Sequence, residues 1–139
     1  MRVFVDTNLW VYRLDQRDPG KAQRVALWLR DVAESHEIVV STQVLIELAS
    51  VLTRKFTPPL APAQVAAALD AVASFEVVVA DRALVLDALG LAAAEQLSWF
   101  DALIVEAAIR SRCDVLYSED LQHGRSFGAL RVENPLGPS

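Results

Sequence analysis

Four acids stand out by where they fall in the chain: Asp6, Glu47, Asp101 and Asp120. Asp6 follows Val3-Phe4-Val5, and Asp120 follows Val115-Leu116-Tyr117-Ser118. Both therefore end short β-branched and aromatic runs that read as buried strands. Asp101 falls in the first turn of a helix whose residues at i+3, i+4 and i+7 are Ile104, Val105 and Ala108, so it projects from an otherwise apolar face. Glu47 flanks the stripe Val44, Leu45 and Leu48, one turn into its own helix. Four carboxylates in one pocket repel one another and lose hydration unless protons or cations compensate. An all-oxygen set suits Mg²⁺ or Mn²⁺. Such ions activate a water and steady the leaving oxygen in phosphodiester cleavage. No histidine or cysteine cluster suggests zinc. Each acid also has a plainer reading. Asp6 can cap the helix after it, and Ser98 and Asp101 have capping-box spacing. Asp120 can serve a turn, with Glu119 beside it as an alternative ligand, and Glu47 can face solvent.

The elements that must position these acids alternate. Strands are expected at Arg2–Val5, Ile38–Val40, Phe75–Val79 and Val115–Tyr117, with an edge strand at Leu130–Val132. Helices are expected over Leu9–Leu14, from Asp18-Pro19 to about Ser35, from Ser41 or Thr42 to about Lys55, after Pro62 to about Ser74, from Asp81 to about Gln96, and over Trp99–Arg112. In the second of these Val25, Leu27, Trp28 and Leu29 are read as the apolar face. The proline-rich stretch Thr57–Pro62 is a loop. Short strands alternating with helices of ten or more residues imply crossover connections. The expected fold is therefore a single three-layer α/β/α domain, with a mostly parallel sheet of four to five strands. It spans residues 1–133, with a frayed tail at 134–139. In such folds the reactive pocket lies beyond the carboxyl ends of the strands.

Composition agrees with one domain. The chain has 139 residues, 53% hydrophobic and 22% charged, which excludes a disordered segment. A single cysteine, Cys113, excludes an internal disulfide framework and reads as a small buried hydrophobe. The net charge of −5 argues against nucleic-acid binding by bulk charge, but not against a nuclease whose acids gather around cations. No apolar run approaches the ~18 residues needed to span a bilayer. Met1 opens directly onto a strand-like run, so a soluble cytoplasmic domain without membrane contact is expected.

Weaker signals surround the acids. Arg13, Arg17, Lys21 and Arg24 can touch phosphates or form a solvated helix face. Trp10 and Trp28 can line a groove for a partner helix or pack in the core, and Trp99 can stack on a base or anchor its helix. His123 is a conceivable acid/base group or RNA contact, or a plain loop residue. Arg54-Lys55 and Arg110/Arg112 sit at helix C-termini, where the dipole favours cations.

Taken in order, Val5-Asp6-Thr7-Asn8, Glu47, Leu97-Ser98-Trp99-Phe100-Asp101-Ala102-Leu103 and Tyr117-Ser118-Glu119-Asp120 resemble the PIN-domain family, and within it the VapC-type ribonuclease toxins of prokaryotic toxin–antitoxin pairs. The resemblance extends from Arg2 to about Val132. It implies an endoribonuclease using Mg²⁺ or Mn²⁺, with Asp6, Glu47 and Asp101 matching the firm acids and Asp120 the more variable fourth. Ser118, Asn8 and Thr7 match supporting polar positions. It further implies a homodimer and a small antitoxin whose C-terminal segment lies over the site. Two alternatives stand beside it. A receiver-like or phosphatase phosphoryl-transfer domain would want a paired acid beside the first strand, a late lysine or Asp-x-Asp, where this chain has Asp6-Thr7-Asn8. A non-catalytic PIN module would bind RNA or protein without cutting.

Overall fold

A computed structural model describes residues 1–137. The elements run β1 (Arg2–Val5), α1 (Thr7–Leu14), α2 (Pro19–Ser35), β2 (Glu37–Ser41), α3 (Thr42–Arg54), α4 (Pro62–Ala73), β3 (Glu76–Val78), α5 (Arg82–Glu95), α6 (Trp99–Arg110), β4 (Val115–Tyr117), β5 (Ser126–Phe127) and β6 (Leu130–Glu133). Helix starts follow local chemistry. The side chains of Asp18, Ser41, Asp81 and Ser98 accept backbone N–H bonds at the first turns of α2, α3, α5 and α6. At α4, where Ala61 has no acceptor to offer, the Gln64 side chain accepts the Ala61 N–H instead (2.9 Å).

The strands form one sheet in the order β3-β2-β1-β4-β6-β5. Every pairing is parallel except β5 with β6. From β1 the chain moves outward through β2 to β3, then returns to the other side of β1 as β4. The direction of winding thus reverses between β1 and β4. With right-handed crossovers this places α1–α4 on one face and α5–α6 on the other. The packing of α1 on α2 and α3, of α3 on α4 and of α5 on α6 agrees. Val3, Phe4, Val5, Val39, Val40, Leu116 and Val132 fill the sheet's share of the core, and Leu9, Trp10, Leu48, Leu52 and Leu84 pack onto it from the helices. Strands buried on both faces have no reason to alternate, which is why they read as continuous apolar runs. No single helix among the described residues is long and apolar enough to cross a membrane.

The expected three-layer α/β/α domain is what forms, and the differences are local. The sheet has six strands rather than four to five, because Ser126-Phe127 adds a two-residue antiparallel edge too short to leave a pattern. Helix α6 stops at Arg110, where the chain turns through Arg112 at φ 59. Leu27 lies on the outer face of α2, 44% exposed, while Ala22, Val25, Leu29 and Val32 make the buried stripe. Trp10 is core, its indole N–H donating to the Val5 carbonyl (3.2 Å) and its ring 5.6 Å from that of Phe75. Of the tail, Asn134–Gly137 closes a turn in which the Asn134 Oδ1 accepts the Leu136 N–H (3.0 Å); residues 138–139 lie outside the described residues.

Candidate active site

The reversal between β1 and β4 opens a crevice at their carboxyl ends, the place where open parallel sheets bind ligands. Asp6 leaves β1 into this crevice and is 7% exposed. Its Oδ1 accepts the Thr7 N–H (2.7 Å) and caps α1; its Oδ2 accepts the Ser118 hydroxyl from the end of β4 (2.9 Å). Asp6 therefore has the expected capping duty and faces the crevice as well. Ser118 also accepts the Asp120 N–H (3.2 Å), and Asn8 donates its side-chain N–H₂ to both oxygens of Asp120 (3.2 Å each). From α3, Glu47 accepts bonds from the Thr7 hydroxyl (3.3 Å) and the Gln43 amide (3.1 Å). Asp101 enters from the first turn of α6. Ser98 Oγ accepts its backbone N–H (3.3 Å), so Ser98 supplies the cap and Asp101's own carboxylate is left to the crevice.

Electrostatics show that the four acids face one another. Burial pushes the Asp6 carboxyl up from 3.8 to about 7 against the bonds from Thr7 and Ser118, with Asp120 and Glu47 adding repulsion. Glu47 is raised by burial, against its bonds from Gln43 and Thr7, with Asp120 and Asp101 repelling it. Asp120 is raised by burial and by Asp101 and Glu119. Among the described residues no lysine or arginine is a leading influence on any of the three. The donors fit a hard divalent ion, being all oxygen, partly desolvated and uncompensated in charge. They do not form a closed cage: among the described residues no group of three or more His, Cys, Asp or Glu side chains is gathered at metal-binding separation.

The neighbouring acid Glu119 turns away from the other four, toward the Tyr12 hydroxyl, which donates to it. The weaker candidates disperse. Arg13 lies over the Trp10 ring at 5.2 Å, half-buried, and Arg17 pairs with Asp15 (2.6 Å). Trp99 is partly exposed beside the more exposed Phe100 at the start of α6. His123 Nδ1 accepts the Asn134 N–H (3.0 Å). Trp28 stands edge-on to Tyr117, with ring centroids 4.8 Å apart. Arg110 reaches Asp81 (2.8 Å) and Asp87 (3.1 Å) on α5. Gln43 escaped the reading of the sequence. Its amide donates both to Glu47 and to the Phe100 carbonyl (3.2 Å), tying α3 to the start of α6 and aiming Glu47 at Asp101. The i,i+4 spacing of Gln43 and Glu47 on one helix face was the available signal.

A doubly wound sheet with an all-acid crevice at its winding reversal defines a class, and comparison gives that class a name. The model of the PIN domain matches residues 3–125, a span that includes all four acids. The chain belongs to the PIN-domain family. Solved structures similar to it include VapBC2 from Rickettsia felis bound to a DNA fragment from their promoter, 19% identical, covering 96% of this chain and 98% of that one with a TM-score of 0.65. VapC20 of Mycobacterium tuberculosis, a sarcin–ricin-loop-cleaving toxin, is 18% identical over 84% of this chain and 88% of that one, with a TM-score of 0.60. A toxin–antitoxin complex from Klebsiella pneumoniae is 15% identical over 92% and 94%, with a TM-score of 0.65. At these identities the likeness is one of fold. No curated protein matches the sequence.

Proposed function

We propose that the chain is a divalent-metal-dependent endoribonuclease and the toxin of a type II toxin–antitoxin pair. The observation that carries the reading is the mutual repulsion of Asp6, Glu47, Asp101 and Asp120 at the β1–β4 reversal, with no lysine or arginine among its leading influences in the described residues. Asp6 and Asp101 would hold Mg²⁺ or Mn²⁺, with Glu47 and Asp120 assisting. When bound, the ion supplies charge for a non-bridging phosphate oxygen and lowers the pKa of a water. The chain's own residues do the positioning. Ser118 and the Thr7 N–H fix the Asp6 carboxylate, Asn8 fixes Asp120, and Thr7 with Gln43 fixes Glu47. Such outer contacts set ligand direction before any ion arrives.

An antitoxin partner is part of the proposal, supported by the toxin–antitoxin assemblies among the similar structures. So is a homodimer. Leu86, Leu89 and Ala93 form an i, i+3, i+7 stripe on the outer face of α5, and the two leucines are 54% and 61% exposed. An apolar stripe of this kind favours association. The deciding assay is cleavage of a single-stranded RNA by the pure protein with Mn²⁺. Cleavage should vanish with chelator and with Asp6→Asn, whose circular dichroism should match wild type. A folded wild-type protein that leaves RNA intact at every Mn²⁺ concentration overturns the enzyme.

A further inference from the structure

Beside the acidic crevice, α2 and the turn after β6 enclose a cavity of ≈ 570 Å³ whose walls include Lys21, Arg24, Trp28, Glu119, Asn134 and Leu136. Helix spacing builds one wall: Lys21, Arg24 and Trp28, at i, i+3 and i+7, share a face of α2. The Lys21 ammonium lies 3.7 Å from the centroid of the Tyr12 ring, whose hydroxyl donates to Glu119. Among the described residues neither Lys21 nor Arg24 is in an ion pair, whereas Arg2, Arg17, Arg110, Arg125 and Arg131 all are. The opposite wall is the Asn134 turn, pinned by His123. The Oδ1 of Asn134 is taken by the Leu136 N–H, which leaves its N–H₂ as a donor. Glu119 precedes Asp120 in the chain, so the cavity and the acidic crevice meet at that pair.

We propose that this cavity is a subsite for one nucleotide of single-stranded RNA, next to the phosphodiester presented to the four acids. The proposal rests on the nuclease reading and adds where the substrate is gripped. A chain of net charge −5 with an acidic crevice repels RNA, so productive approach needs local cations outside ion pairs. Arg24 is such a cation, and Lys21, which lies over the Tyr12 ring and near Asp15, is in no direct ion pair among the described residues; unlike Arg13, both line the cavity. Trp28 and Leu136 give the base an apolar and aromatic surface. Glu119 as acceptor and Asn134 as donor suit the hydrogen-bonding edge of an unpaired base. The volume matches a small-molecule or nucleotide pocket. An acidic peptide would satisfy the two cations but would bring its own carboxylates against Glu119.

The test measures binding without chemistry. Fluorescein-labelled single-stranded RNA is titrated into the full-length protein in EDTA, over a salt series, with wild type, Lys21→Ala/Arg24→Ala and Arg54→Ala/Lys55→Ala as a remote control. The first double variant should bind about tenfold more weakly, and its salt slope should fall by about 1.4, the value for two lost phosphate contacts on a single strand. In Mn²⁺ the same variant should raise KM and leave kcat close to wild type. RNA affinity equal to wild type overturns the subsite even if the protein cleaves RNA, and even if the variant has lost affinity for an acidic peptide. Weakened binding by a protein that never cleaves keeps the subsite and overturns the nuclease reading alone.

Discussion

Replacing Asp6 by asparagine should stabilise the metal-free protein at basic pH, the reverse of what most buried substitutions do. The Asp6 carboxyl is raised from 3.8 to about 7, chiefly by burial, so ionising it in the folded state costs about 4 kcal/mol relative to the unfolded chain. Asparagine removes that charge at nearly constant shape. It also weakens the bonds from the Thr7 N–H and the Ser118 hydroxyl, at about 1–2 kcal/mol together, leaving a net gain of about 2 kcal/mol. The direction with pH follows from linkage. A carboxyl raised on folding keeps its proton in the native state after the unfolded chain has lost it, so wild-type stability falls from about pH 4 to about pH 7 and then levels. Glu47 and Asp120, also raised, act in the same sense. Asp15 and Asp81, lowered by arginine partners and backbone N–H groups, and Glu76, lowered by Arg2, act in the opposite sense. Urea unfolding in EDTA at pH 5 and pH 8 measures the effect. Wild type should be weaker at pH 8; Asp6→Asn should gain at pH 8, gain nothing at pH 5, and lose most of the stabilisation that Mn²⁺ gives wild type. Equal destabilisation by Asp6→Asn at both pH values would refute the claim that this carboxylate is held at a cost.

Asn8→Ala and Ser118→Ala release Asp120 and Asp6 respectively and should each lower RNA cleavage by about 10–100-fold while leaving the circular dichroism unchanged; activity within twofold of wild type in both would remove their positioning role. Leu86→Glu/Leu89→Glu should convert a dimer to a monomer in sedimentation velocity without changing secondary structure, and a dimer that survives the change does not use the outer face of α5.

What the sequence reveals depends on whether a feature is local. Strands such as Val3-Phe4-Val5 and Val115-Leu116-Tyr117 are buried on both faces and announce themselves as apolar runs, and Asp18, Ser41, Asp81 and Ser98 mark helix starts through their own short acceptors. Asp6, Asp101 and Asp120 were legible for the same reason, since a strand end or first turn fixes a carboxylate's place within a few residues, and Glu47 through its position beside the apolar stripe of α3. Contacts made across the fold were not. Arg13 and Arg17 look as available to phosphate as Lys21 and Arg24, and only folding stacks the first on Trp10 and pairs the second with Asp15. Gln43 carries no charge to draw notice, and its role exists only because the Phe100 carbonyl, 57 residues away, comes within reach. Between Glu119 and Asp120 sequence offers no choice; across the fold the Asn8 amide meets both oxygens of Asp120, while Glu119 takes the Tyr12 hydroxyl.

The two ends of the sheet argue the functional point by contrast. At the amino ends of β1, β2 and β3, Glu37 and Glu76 are answered by Arg2, which bonds both and also donates Nε to the Ser111 carbonyl (2.8 Å). The chain therefore has the means to neutralise acids at a strand edge, and does so where they are exposed and cheap to leave alone. At the carboxyl ends of β1 and β4, Asp6 is buried and is repelled by Asp120, and among the described residues neither is in an ion pair, although Lys21 and Arg24 on α2 line the adjoining cavity. Supplying a lysine there would relieve the strain and fill the crevice. Its omission keeps a concentrated negative potential open at the winding reversal, which is the feature that the proposed divalent ion would use, since no internal ion pair would compete with it for the folded chain.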